Sequence, residues 1–76
     1  MTAKISPIIL AARLTDMRWL NEGGAAGRIK PMSFEFICTT LAPTLQADAD
    51  LETIYLALLR AAIRMPQHFH EDYTND

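Results

Sequence analysis

The fold turns on how residues 34–40, FEFICTT, are read. Aromatic and β-branched residues dominate the stretch, and Phe34, Phe36 and Cys38 alternate as they would on one face of a strand. A strand needs partners to satisfy its backbone, and no second run in the chain offers a clear one. A helical reading extends further. Phe34, Ile37, Cys38, Leu41 and Leu45 keep the i, i+3, i+4, i+7 spacing of a single helix face, and Ser33 stands where an N-cap is wanted. Pro43 then ends or kinks the segment, because it lacks an N–H and crowds the preceding turn. Helix is therefore expected, and the chain is expected to be all-α.

The flanking segments agree. Upstream, Ser6-Pro7 is a helix start, with serine able to cap exposed N–H groups and proline suited to the first helical position. From there Leu10, Leu14 and Met17 form one row, and Ile8, Ala12, Thr15 and Trp19 an adjoining one, which predicts a helix from Pro7 to about Glu22, stopped by Gly23-Gly24. Downstream, Asp48 or Asp50 caps a third helix with Asp50 and Glu52 at its positive end and Arg60 and Arg64 near its negative end, closed by Pro66. The expected architecture is a small three-helix bundle over residues 1–67, followed by a C-terminal tail, 68–76, from which Phe69 or Tyr73 folds back onto the body.

Composition narrows the function. Seventy-six residues make one domain that buries only about 60% of its unfolded surface. Half the residues are apolar, too many for a disordered chain. The net charge is −2: Lys4, Arg13, Arg18, Arg28 and Lys30 outweigh the acids of residues 1–37, and the acids outweigh Arg60 and Arg64 beyond them. That is a mild dipole, not the basic face of a nucleic-acid binder. The single cysteine excludes an internal disulfide, and no apolar run approaches a signal or membrane-spanning length, so a soluble cytoplasmic protein is expected.

Few residues suggest chemistry. His68-Phe69-His70-Glu71-Asp72 would place two imidazoles and a carboxylate on a metal if extended, yet it lies near the C-terminus and no other cluster completes a ligand set. GGAAGRIK, residues 23–30, lacks the strand, the Gly-Lys pair and the hydroxyl of a phosphate-binding loop, and reads as a flexible connector. Cys38 sits on an apolar stripe where a thiol is inert. No catalytic, metal or cofactor residue is assigned.

The third helix supplies the functional expectation. At 100° per residue, Leu51, Ile54, Tyr55, Leu58, Ala62 and Met65 form a core face, while Leu56, Leu59 and Ile63 form a second apolar row beside Glu52. Two short helices are not enough to cover both, and small domains often gain stability by oligomerising. Arg18 and Trp19 join the candidate interface because Trp and Arg dominate interface hot spots, although Trp19 is also the largest apolar side chain available to the core. The expectation is a non-enzymatic interaction module, a homodimer through the third helix, that binds a larger protein as inhibitor or adaptor. A phage or mobile-element accessory protein is one such setting. The alternative is a nucleic-acid-associated accessory protein contacting phosphates through Arg13, Arg28 and Lys30, with Arg18 beside them.

Overall fold

The computed structural model describes residues 3–20 and 26–70, and the side chains of residues 17–20 and 26 lie outside that description. Three α-helices, α1 (Pro7–Leu20), α2 (Phe34–Leu41) and α3 (Leu51–Arg64), are joined by short 3-10 turns, with no strand longer than an isolated bridge among the described residues. The fold is the all-α three-helix arrangement that the spacing predicts.

The 34–40 stretch is helical. Ile37, Cys38 and Leu41 are buried while Phe36 is half exposed, so the alternating reading, which needs Phe36 beside Cys38, has no counterpart. Pro43 ends α2 in a 3-10 turn, Ala42–Thr44, that still buries Ala42 and delivers Leu45 to the core. The Thr44 hydroxyl donates to the Leu41 carbonyl at 2.7 Å, satisfying one of the helix's last acceptors. Ser33 does not cap α2: its backbone is helical and its side chain makes no capping bond. A 3-10 turn over Pro31–Ser33 runs straight into the helix, and Phe34 N–H finds the Pro31 carbonyl, leaving the serine hydroxyl free for another use.

In α1, Ser6 accepts a hydrogen bond from Ile9 N–H at 3.2 Å, as a cap should. Leu10 and Leu14 are fully buried, whereas in the adjoining row Ile8 is 81% exposed and Ala12 and Thr15 face solvent. The expected helix end at Glu22 and the Gly23-Gly24 stop lie outside the described residues. In α3, Asp50 is the cap, accepting from Thr53 N–H at 2.8 Å. Ile54, Leu58, Ala61 and Ala62 are buried, Tyr55 and Met65 partly so, and Leu51 lies at the exposed margin.

Helices alone do not complete the core. Ile5, Ile29, Leu45 and Phe69 are buried from the connecting segments, and every buried side chain among the described residues is apolar or the thiol of Cys38. Two backbone clasps place them. The N-terminal arm pairs with residues 45–47 through Ile5 N–H to the Leu45 carbonyl, 2.9 Å, and Ala47 N–H to the Ala3 carbonyl, 2.7 Å. Residues 28–30 pair with 68–70 through Lys30 N–H to the His68 carbonyl, 2.9 Å, and His70 N–H to the Arg28 carbonyl, 3.0 Å. Residues 28–30, expected in a flexible connector, are therefore held, and the body continues through His70 rather than ending at residue 67. Phe69 does fold back, as expected; Tyr73 lies outside the described residues.

α2 packs against both other helices, and α3 buries the face carrying Ile54, Leu58, Ala61 and Ala62. Among the described residues no helix is long and apolar enough to cross a membrane.

Hydrogen bonds from Thr53, side chain and backbone, hold the Asp50 carboxyl below its ordinary pKa. A depressed folded-state pKa contributes stability above the unfolded value, and that contribution disappears as pH falls through the folded value. Asp50→Ala is expected to lower the melting temperature at neutral pH, with the gap to the parent closing as the pH is taken below 3.8, the group's ordinary value. A constant gap across that window in thermal melts would contradict the capping role.

Candidate functional site

The candidate interface lies on α3, directly opposite its buried face. Ile54, Leu58, Ala61 and Ala62 cluster on one side of the helix, and Leu56 and Ile63 project roughly half a turn away from them. Leu56 is 46% exposed and Ile63 79%, while Leu59, nearer the core face, is partly buried. Glu52, four residues before Leu56, lies in line with the row at its N-terminal end, and Arg60 flanks it on one side; both are exposed. Solvent-facing helix positions usually carry polar side chains; here they carry a leucine and an isoleucine in line. Arg18 and Trp19 belong to α1, but their side chains fall outside the described residues.

The basic residues singled out as possible phosphate contacts are not gathered into a patch. Arg13 reaches from α1 and donates to the Ala49 carbonyl at 2.9 Å, tying the first helix to the residues that lead into α3. Arg28 donates to the Tyr55 hydroxyl at 2.6 Å and lies 5.6 Å from that ring's centroid, a cation–π distance. Lys30 is exposed on the segment clasped to His68. Two of the three cations thus hold elements of the fold together.

His68 and His70 occupy different settings. The His68 ring stacks on Phe36, centroids 4.7 Å apart, and its Nδ1 lies 2.8 Å from the Ser33 hydroxyl. His70 is exposed, and its backbone N–H is the group used by the clasp. Residue 68 closes a 3-10 turn over Pro66–His68, so the extended geometry that would aim both imidazoles at one ion is interrupted. Among the described residues no three of His, Cys, Asp and Glu come together.

The Ser33–His68 pair went unseen in the sequence because 35 positions separate its members. A serine beside an imidazole suggests a nucleophile and its base, but that chemistry also needs a group orienting the imidazole and donors for an oxyanion. No carboxylate hydrogen-bonds His68 among the described residues. Both side chains are partly buried, and the pair fastens the segment carrying Phe69 to the start of α2.

Cys38 is 2% exposed, and burial pushes its thiol pKa up, so little reactive thiolate forms. Thiol reagents are expected to label native protein far more slowly than unfolded protein. Cys38→Ala should cost at most about 1 kcal/mol, for a cavity the size of one sulfur. Rapid native labelling would contradict the burial.

Comparison with protein-family models, with curated proteins and with solved structures finds no match for this chain.

Proposed function

We propose that this chain is a non-enzymatic protein-interaction module that works by laying the outer row of α3, Leu56, Leu59 and Ile63, against another protein surface. One observation carries the reading: Leu56 and Ile63 are half to four-fifths exposed on the side of α3 directly away from its core contacts, where water would select polar residues. No described residue covers either side chain fully. Burying such a row recovers apolar transfer free energy, and a chain this small gains proportionately from it.

Two partners suit the row. A second copy of the chain would cover both rows at once across a two-fold axis, the commonest way for a small domain to complete its packing. A larger protein would be capped or recruited through it, which is inhibitor or adaptor behaviour. The nucleic-acid alternative has less support, because Arg13 and Arg28 are committed to contacts inside the fold.

Site-specific photo-crosslinking tests the reading. A photoreactive residue replacing Ile63 should form protein adducts in native cell extract, to itself or to a larger partner, while the same residue replacing exposed Thr39 on α2 should not. Equal yields at the two positions, or none at either, would remove the outer row as the interface.

A further inference from the structure

A groove of about 350 Å³ runs between α3 and the end of α2, on the flank of α3 that turns away from Leu59. Its floor is apolar, built from Leu41, Ala61 and Met65. Its rim is not: Arg60 and Arg64 stand on the α3 side and Thr40 on the α2 side, all three exposed. The arginines are one helical turn apart on α3, with Cβ atoms about 6 Å from each other, so both border the same stretch of the rim.

Among the described residues neither arginine has a hydrogen-bonding or ion-pair partner, and no acidic side chain lines the groove. Their position near the C-terminus of α3 complements the helix dipole, which neutralises only part of one charge. Arg60 and Arg64 therefore differ from Arg13 and Arg28, which are used within the fold. The Thr40 hydroxyl is likewise uncommitted, whereas Thr53, at the far end of the groove, already donates to Asp50.

We propose that this groove binds a small amphiphilic carboxylate, its head group held by Arg60 and Arg64 and its apolar body lying on Leu41, Ala61 and Met65. The volume lies at the lower end of the roughly 300–1,000 Å³ typical of small-molecule sites, with the usual mixture of apolar lining and a few convergent polar groups. Paired guanidinium forks match the two oxygens of a carboxylate, and Thr40 offers one further donor. A phosphate monoester dianion also balances two guanidinium charges, so octyl phosphate serves as the competing probe. The site adjoins the outer row of α3 through Arg60 but contains none of Leu56, Leu59 and Ile63.

Titration with octanoate, followed by amide NMR shifts, tests the proposal. Octanoate should shift the Thr40, Ala57 and Ala61 resonances saturably, and hexanoate should bind up to about fifteenfold more weakly for its two missing methylenes. R60Q/R64Q should weaken octanoate at least tenfold with circular dichroism unchanged, since both side chains are on the surface. Ala57→Leu, which fills the groove and leaves both charges in place, should weaken it as well. Octanol binding as tightly as octanoate, octyl phosphate binding more tightly, affinity retained in R60Q/R64Q, or shifts confined to Leu56 and Ile63 would each overturn it.

Discussion

Phe69→Ala is expected to unfold up to about half of the population at physiological temperature. The ring is 2% exposed and is held against the body by the backbone pairing of residues 28–30 with 68–70. Truncating a buried phenylalanine costs about 3–5 kcal/mol. Small domains lie near the bottom of the usual stability range of about 5–15 kcal/mol, so that loss consumes most of what is available. A melting temperature lower by roughly 15–35 °C is the corresponding shift for a chain of this size. Deleting residues 68–76 should be at least as damaging, because it also removes the Ser33–His68 bond and the His68 stack on Phe36. Deleting only residues 71–76 removes none of these contacts and should leave the helical signal intact. A Phe69→Ala protein that melts within a few degrees of the parent would show that the clasp is dispensable.

The 68–76 deletion separates two views of the C-terminal region. A solvated tail starting at His68 would be removable with no loss of helix. Phe69 as a core residue makes the same deletion destructive. Circular dichroism of the two truncations, ending at Gln67 and at His70, places the boundary directly.

The second large effect is on association. Ile63→Glu is expected to weaken self-association at least a hundredfold while leaving the fold within about 0.5 kcal/mol of the parent. At 79% exposure, a carboxylate at position 63 in the isolated domain stays in water and costs little. In a contact that covers the outer row, the same charge is desolvated with no designed partner, a penalty of several kcal/mol, and each 1.4 kcal/mol is a factor of ten. Leu59→Glu is less clean, because Leu59 is partly buried and the variant would also disturb the domain's own packing. Light scattering after size exclusion, beside circular dichroism, gives the answer. A parent chain that stays monomeric at high concentration would sink the homodimer, leaving the crosslinking experiment to decide whether the row faces a different protein.

Much of the helical layout could be read from sequence because its determinants are local. A cap such as Ser6 or Asp50 acts within three residues, a proline such as Pro43 or Pro66 acts on its own turn, and apolar spacing is a property of one helix. Those signals located α1, α2 and α3, chose helix over strand for residues 34–40 and kept Cys38 inside. Even there one local inference failed. Ser33 looked like a cap, but a 3-10 turn satisfied the α2 amide before its hydroxyl was needed.

Contacts that bridge long stretches of chain left no comparable mark. Phe69 on Ile29, Ser33 with His68, Arg13 on Ala49 and Arg28 on Tyr55 join residues 27 to 40 positions apart. No spacing rule links such pairs, since their meeting depends on how three helices and two connections close in space. That closure turned an apparent tail into part of the core and drew two presumed phosphate contacts into internal bonds. It also aligned Arg60 and Arg64 with Thr40 across a groove that neither helix forms alone. The amphipathic pattern of α3 could name its two apolar rows, but which of them faced water depended on where α2 came to lie.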